Sequence, residues 1–453
     1  MRKEHDFLGE LEVADELYYG VQTIRALENF HITGKHLDQD FIKALAMVKK
    51  ASALANMKTG RLNVSIGKAI VQAADEVIEG QFADQFPVDP IQGGAGTSVN
   101  MNMNEVLANR ACEILGHPKG SYDIVSPNNH CNMAQSTNDA FPTAIKVCAI
   151  LKSKPLLEAL QRLVDELEKK ADEYSGILKM GRTHLQDAVP ITLGQEMGAY
   201  ASGVRRGIKR IKSAVEGAHV INMGATAVGT GLNAEPNYIH DVAYELSEVV
   251  GEPFYTAENL IDATNNTDIF ADISSGLKVT ALVLIKMAND FRLMASGPRC
   301  GIGELKLPAR QPGSSIMPGK VNPTQCEALA MVCAQVFGHN TTMTLCAGSG
   351  AFQLNVYMPI MIYDFVESCR LLSDAMNSFT THCIDGVEFV PEKLNFFVEQ
   401  SLMIATSLTP YIGYDKSAKV VKEAYKRGCS IKEIILEEKL MTEDEFAEAV
   451  RMK

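Results

Sequence analysis

Residues 268–294 restrict how this chain can fold more than any other segment, because almost every side of them must be buried. The segment has the length of a long helix, and its apolar side chains would cover most of the helix circumference. Those side chains include Ile273, Leu277, Leu282, Val283, Leu284, Ile285 and Met287. A helix that is apolar nearly all round needs neighbours on nearly all sides. We therefore predict that it lies inside a helix bundle that extends across subunits.

Two further segments carry apolar side chains along one helical face. In the first, such residues recur at alternating steps of four and three: Leu193, Met197, Tyr200, Val204, Ile208, Ile211 and Val215. The second shows the same period earlier in the chain: Leu156, Leu157, Leu160, Leu163, Val164 and Leu167. Pro155 predicts that this helix begins or bends there. Such a row of apolar residues along one helical face, or seam, is typical of helices packed side by side, so the sequence predicts an all-α fold.

The pattern divides the chain into three segments. Residues 1–138 are more broken and mainly helical, and residues 139–390 contain the long helices. Beyond them, residues 391–453 carry shorter helices, because Pro391 and Pro410 interrupt the pattern. A chain of 453 residues is long enough for such a division.

Charge and composition exclude several classes of function. The net charge of −12, from 43 basic and 55 acidic residues, argues against a nucleic-acid partner and requires a locally positive pocket for any anionic substrate. The first residues do not resemble an export signal, and the most apolar run, 279–285, is far shorter than a membrane span. The ten cysteines are scattered without metal-ligand spacing. We therefore expect a cytoplasmic protein with reduced thiols and no membrane partner.

Residues 313–323 concentrate chemically useful side chains in one loop punctuated by glycine and proline. Lys320 and Asn322 are donors suited to a carboxylate, and Ser314 and Ser315 can donate, accept or, if activated, take a proton. The alternative is a polar surface loop with a solvated lysine.

Three other segments collect polar residues where no helix is expected to continue. The first, Gly-rich and ending at Thr97, could hold an anion or be a tight turn before a helix. Residues 135–139 suit a helix cap or an anion site at the same helix end. His184, with Thr183 beside it, is either structural or a proton carrier, since histidine readily exchanges protons near neutral pH.

These segments occur in the order and spacing of the substrate-contact regions of the aspartase/fumarase superfamily, which the chain resembles along nearly its whole length. The resemblance implies a three-domain all-α fold and a homotetramer with a central bundle of long helices. Each active site would use loops from three subunits. The implied activity is elimination from a small dicarboxylate to give fumarate, without a metal or organic cofactor.

The resemblance also implies a role for each candidate residue. One substrate carboxylate would be surrounded by Thr97, Ser136, Thr137 and Ser315. The other carboxylate would be held by Lys320 and Asn322. The amino group would face Asn138, Thr183 and His184. The base would be Ser314, acting as an alkoxide once the closed loop excludes water.

The identity of the leaving group depends on residues that differ between the two branches of the superfamily. Ala95, Thr137 and the absence of histidine at Ser126 resemble the aspartases, which release ammonia. The sequence from Lys320 to Leu329 and the presence of His184 resemble the class II fumarases. In that case a His184–Glu327 pair would activate water. We expect L-aspartate as substrate, with L-malate as the alternative. A more remote alternative is a non-catalytic structural protein on the same fold.

Overall fold

A computed structural model of the protein describes residues 1–450 and shows a chain built mainly from α-helices. The first half contains α1 (Val21–Asn29), α2 (Gln39–Lys58), α3 (Val64–Ile78), α4 (Thr97–Ile114), α5 (Thr137–Glu173), α6 (Leu193–Glu216), α7 (Pro236–Val250) and α8 (Leu260–Asn265). The second half contains α9 (Asp268–Met294), α10 (Thr324–Ala347), α11 (Met358–Phe379), α12 (Pro391–Gln400), α13 (Ala405–Ile412), α14 (Tyr414–Arg427), α15 (Ile431–Glu437) and α16 (Glu443–Val450). The predicted all-α class is confirmed.

The strands are short and pair only two by two. Antiparallel pairs join β1 (Arg2–Asp6) to β2 (Gly9–Val13), β3 (Leu178–Thr183) to β4 (Gln186–Thr192), and β7 (Leu305–Lys306) to β8 (Glu388–Phe389). The pair of β5 (Val220–Ile221) and β6 (Tyr255–Thr256) is parallel. These pairs fix the positions of loops between helices.

The chain divides into two compact units, each assembled from three separate stretches. The first unit comprises Met1–Leu157, Lys209–Val279 and Ala334–Leu372. The second unit comprises Glu158–Ile208, Thr280–Cys333 and Ser373–Lys453. Five helices, α5, α6, α9, α10 and α11, contribute residues to both units. The division into domains 1–138, 139–390 and 391–453 stays a prediction.

The predicted helical seams are buried. Along α6 every residue of the seam from Leu193 to Val215 is buried. The seam of α5 is buried as well, except that Leu157 is half-buried. Pro155 does not begin this helix but lies inside it, because α5 starts at Thr137. Apolar residues are buried on both sides of the proline, including Ile150 and Leu156, and their packing favours a continuous helix.

The all-round burial expected for α9 is incomplete within one chain. Leu277 and Leu284 are buried, whereas Leu282 is 51% exposed and Leu293 is 45% exposed. The apolar content of a helix predicts how much of it must be covered, but not whether the cover belongs to the same chain. These exposed leucines therefore mark surface that a single chain leaves open.

Membrane-spanning helices and clusters of metal-binding side chains are both absent among the described residues. No helix among residues 1–450 is long and apolar enough to cross a membrane. Within the same residues, no group of three or more His, Cys, Asp or Glu side chains is arranged to hold a metal ion. The ten cysteines form no disulfide, and Cys300 is the exposed one.

Candidate active site

In the first unit, a tight left-handed turn leads into α4. Gly94, Ala95 and Gly96 all have positive φ angles, of 78°, 57° and 96°. A β-carbon at Gly96 would lie 2.4 Å from the ring of Phe141, so this position needs glycine for space as well as for conformation. The turn ends at Thr97, whose Oγ1 lies 2.7 Å from the carbonyl oxygen of Gly94. Thr97 is thereby held at the N-terminus of α4.

A second helix N-terminus, that of α5, carries three further candidate residues. The Oγ of Ser136 accepts a hydrogen bond from the backbone N–H of Asn138 at 3.2 Å, and the Asp139 carboxylate accepts from the Ser136 N–H at 2.9 Å. The cap interpretation is therefore correct for Ser136. Capping uses the oxygen of this hydroxyl and leaves its hydrogen for another acceptor.

The two helix ends meet at the side chains of Thr97 and Thr137, whose Oγ1 atoms lie 3.2 Å apart. Asn138 lies next to this pair, and its Nδ2 donates to the carbonyl oxygen of Ala227 at 2.7 Å. Both helices direct the positive ends of their dipoles toward their N-termini, which favours an anion there. The first unit thus brings four predicted residues, Thr97 and 136–138, to one place.

Below these hydroxyls lies a buried polar cluster that the sequence did not reveal. Lys49 is fully buried in α2, and its Nζ donates to Asn132 Oδ1 at 3.1 Å and to Gln135 Oε1 at 2.9 Å. Burial lowers the pKa of Lys49 to about 7 and raises the pKa of Asp139 to about 7, in the latter case against backbone hydrogen bonds from Ser136 and Thr226. The available signal was a polar line within the alanine-rich α2, at helical spacing: Lys49, Ser52 and Asn56.

In the second unit, the hairpin of β3 and β4 presents Thr183 and His184. Thr183 pairs with Gln186, which leaves His184 and Leu185 as the two turn residues. Both have positive φ angles, 56° and 61°, a conformation that non-glycine residues rarely adopt. The turn is exposed. Backbone strain of this kind is often retained at functional sites.

A buried ion cluster joins this hairpin to the stem of the serine loop. Glu304 is fully buried immediately before β7, and its Oε1 accepts from Arg182 at 2.7 Å. Lys179 Nζ lies 3.1 Å from Glu304 Oε2, within ion-pairing distance although not aligned as a hydrogen bond, and 2.6 Å from Glu196. These four residues were not predicted from the sequence, because Glu304 lies far along the chain from the other three.

The serine loop places two backbone donors on Ser314. The Ser314 Oγ accepts from the N–H groups of Ile316 at 3.2 Å and Met317 at 3.1 Å. Two N–H donors stabilise negative charge on an oxygen more than they stabilise a neutral hydroxyl. This arrangement favours the alkoxide that a serine base requires.

The same loop is closed at its base by Gly313 and Asn322. The Gly313 N–H donates to the Lys320 carbonyl oxygen at 2.7 Å, and Asn322 Nδ2 donates to the Gly313 carbonyl oxygen at 2.7 Å. A β-carbon at Gly313 would come within 2.7 Å of this backbone, so only glycine fits. Lys320 and Ser315 are exposed on the loop, where they can reach a ligand.

Within residues 1–450 of a single chain, no hydrogen bond or ion pair joins the side chains of His184 and Glu327. Glu327 lies in the first turn of α10. Their pairing, like the substrate contacts assigned to the other candidate residues, stays a prediction. What each unit offers is nonetheless distinct: the first presents hydroxyls at two helix ends, and the second presents a stabilised serine, an exposed lysine and an exposed imidazole.

The sequence matches two protein families. Residues 9–338 match the family described as Lyase, and residues 404–453 match the fumarase C C-terminus. An aspartate ammonia-lyase from Bacillus sp. is 52% identical over 448 residues, covering 99% of this chain and 96% of that protein. A class II fumarate hydratase from Neisseria meningitidis serogroup A is 51% identical over 450 residues, covering 99% of this chain and 97% of that protein.

Solved structures agree with these matches. A fumarate lyase:delta crystallin from Brucella melitensis bound to cobalt superimposes with a TM-score of 0.97 at 43% identity, covering 99% of this chain and 98% of that one. A class II fumarase from Schistosoma mansoni gives a TM-score of 0.95 at 38% identity, with the same coverage of both chains. The shared fold, the family matches and the full-length relatives together show that this chain belongs to the aspartase/fumarase superfamily of lyases.

Proposed function

We propose that the protein is an aspartate ammonia-lyase, which eliminates ammonia from L-aspartate to give fumarate. The observation that carries the elimination chemistry is the pair of backbone N–H groups on the Ser314 oxygen. An alkoxide at Ser314 would remove a proton from the carbon beside the β-carboxylate. The electron pair of the broken C–H bond would move into that carboxylate as an aci-carboxylate, and would then form the double bond as the C–N bond breaks.

The carboxylate that gains charge needs hydrogen-bond donors at the positions where the charge develops. In the first unit, the hydroxyls of Ser136 and Thr137 would supply such donors, and Thr97 would join them once its hydroxyl turns away from the Gly94 carbonyl; Ser315 is their proposed counterpart in the serine loop. Lys320 and Asn322 would hold the other carboxylate, since an ammonium and an amide N–H are its natural partners. No step requires a metal or an organic cofactor.

The choice of ammonia over water is supported by the orientation of Asn138. Its amide nitrogen donates to the Ala227 carbonyl, which can only accept, so the amide oxygen faces the other way as an acceptor. An ammonium group is a donor only and suits that oxygen, together with the hydroxyl of Thr183 and the ring of His184. A hydroxyl leaving group has one hydrogen to donate where an ammonium has three, so it could satisfy fewer of these groups as acceptors.

Class II fumarate hydratase is the alternative, because the relatives on the two branches are almost equally similar to this chain. One assay separates them: purified enzyme is given fumarate with or without saturating ammonium, and the products are identified by chromatography. Aspartate formed faster than malate supports the proposal. Malate formed much faster than aspartate contradicts it and supports the fumarase.

We also propose that the working form is a homotetramer with active sites shared between three subunits. The exposed apolar residues on two long helices support it, because they form surface that a second copy would cover. They are Leu282 and Leu293 on α9 and Met331 and Leu345 on α10. Light scattering should give about four times the chain mass of 49.4 kDa. A monomer with full activity would contradict shared sites, and stable folded protein without any lyase activity would favour the structural alternative.

A further inference from the structure

Hydrogen-bonded side chains connect the Thr97–Thr137 hydroxyl pair to the amine of Lys49 through buried Asn100 and half-buried Asn132. Asn100, one turn into α4, has its Nδ2 at 3.1 Å from Thr137 Oγ1 and at 3.2 Å from Asn132 Oδ1. The same Asn132 oxygen accepts from Lys49 Nζ at 3.1 Å. Asn100 and Lys49 are both buried, at 1% and 0% exposure, so water has little access to their amide and amine groups.

The direction of these hydrogen bonds follows from what each group can donate. A lysine amine carries two or three hydrogens, enough to donate to both Asn132 and Gln135 whether it is charged or neutral. Asn132 must therefore turn its oxygen toward Lys49. Because that oxygen also lies against Asn100, the side chain of Asn100 must turn its NH₂ group toward Asn132.

This orientation of Asn100 determines whether the Thr137 hydroxyl donates or accepts in the bond between them. The NH₂ group of Asn100 also contacts Thr137 Oγ1, so the threonine oxygen is an acceptor in this bond, and its single hydrogen can point to Thr97 Oγ1, 3.2 Å away, or to a ligand. The Oδ1 of Asn100 is buried without a partner, which is consistent with an orientation imposed from the Lys49 side. A carboxylate can only accept, and it would therefore meet Thr137 as a donor.

We propose that Asn100 is a positioning residue that holds the Thr137 hydroxyl as a hydrogen-bond donor toward the substrate carboxylate, in a direction set by Lys49. The inference rests on the proposed contact between Thr137 and that carboxylate. It does not depend on which group leaves, because aspartate and malate carry the same carboxylate. The bond strengthens as the aci-carboxylate gains charge, so the effect appears mainly in kcat rather than in KM.

A double-mutant cycle tests whether Asn100 acts through Thr137. Asn100→Ala, Thr137→Val and the double variant are compared in kcat and KM with whichever substrate the wild-type enzyme uses. We expect Asn100→Ala to lower kcat about tenfold in the wild-type background, but less than about twofold in the Thr137→Val background. Asn100→Asp should lower kcat about 100-fold or more, because its carboxylate would draw the Thr137 hydrogen away from the substrate. Lys49→Met should lower kcat in the same direction as Asn100→Ala.

Asn102→Ala is the matched control, since Asn102 is fully buried on the same helix and donates to the Gln85 carbonyl oxygen at 2.9 Å, away from the hydroxyl pair. It should reduce the unfolding temperature while kcat stays within about twofold. Equal losses from Asn100→Ala in both backgrounds would overturn the positioning role. If Thr137→Val alone left kcat and succinate affinity unchanged, the carboxylate contact itself would be refuted. A wild-type enzyme that forms malate would refute only the leaving group.

Discussion

Arg182 and Glu304 form an ion pair of 2.7 Å that connects the His184 hairpin to the strand from which the serine loop emerges. Glu304 is fully buried and Arg182 is mostly buried, so the pair is shielded from solvent. The β-strands on either side are short, and β7 has only two residues. We therefore expect the ion pair to constrain the spacing between the hairpin and the stem of the serine loop.

We expect Arg182→Met to destabilise the protein by about 3 kcal/mol or more, since removal of one partner leaves a buried carboxylate less well compensated. It should also lower kcat, because the loop stem and the hairpin would shift. Thermal unfolding and steady-state kinetics measure both effects. The control is Lys306→Met, which breaks an exposed ion pair with Glu388 in the same unit and should change neither quantity appreciably. Equal behaviour of the two variants would show that the Arg182 pair is not a constraint.

Ser314→Ala should abolish turnover while the protein still folds and binds a dicarboxylate. Loss of a proton-abstracting base should lower kcat by about 10³-fold or more. Succinate binding by calorimetry, at near wild-type affinity, verifies that the loop is otherwise intact. A variant that keeps more than about a tenth of wild-type kcat would exclude Ser314 as the base.

Lys320→Met should weaken succinate binding by about 10- to 100-fold, because a carboxylate loses a charged donor in a protein with a net charge of −12. Calorimetry at fixed ionic strength measures the change. Lys306→Met, an exposed lysine at the stem of the same loop, serves as the control for loss of one positive charge. Wild-type affinity in the Lys320 variant would show that this ammonium contacts no carboxylate.

His184→Gln distinguishes the two roles open to this imidazole. If His184 orients the amino group, the variant should deaminate L-aspartate at a moderately reduced rate, since glutamine can still hydrogen-bond. If His184 instead activates water with Glu327, any malate formation should disappear with the histidine. Product chromatography from fumarate, with and without ammonium, gives both rates in one experiment.

Stability should depend on pH through Lys146, which is buried in α5 and donates to the Val220 carbonyl oxygen at 2.7 Å. Burial lowers the pKa of Lys146 to about 8, whereas an unfolded lysine titrates near ~10.4. The unfolded chain therefore binds the proton more tightly than the folded chain. Below pH 8, where Lys146 is charged in both states, its buried charge lowers the free energy of unfolding by the full amount. As pH rises from about 8 to about 10.4, wild type should gain about 3 kcal/mol relative to Lys146→Met.

Unfolding temperatures of both proteins at several pH values measure this difference. A wild-type protein that loses stability relative to Lys146→Met over the same range would contradict the assignment. Lys169→Met, at an exposed position of the same helix, controls for the loss of one lysine.

Periodicity in the sequence predicted α6, α9 and part of α5, because a regular apolar spacing such as Leu193 to Val215 marks the face that the helix buries. Pro155 was a poorer guide to a helix boundary, since packing on both sides holds the helix through it. The exposure of Leu282 could not be predicted, because sequence gives the amount of apolar surface and not which chain covers it.

The candidate site was predictable where chemistry lies in a local motif, as in the serine loop and the Ser136 cap. Lys49 and the Arg182–Glu304 pair were not, because their partners are distant in sequence and no single segment indicates the contact. Residue type alone also favoured a solvated lysine at position 49, since buried lysines are uncommon.

The exposed tip of the serine loop has a practical consequence. Ile316 is 83% exposed and Met317 is 48% exposed, in a stretch without helix or strand between β7 and α10. A protease needs an accessible segment without regular secondary structure, and this stretch offers one beside two apolar side chains. Cleavage there would cut the polypeptide two or three residues after Ser314, the proposed base. The rate of nicking, with and without a bound dicarboxylate, would thus report how completely the ligand shelters Ser314.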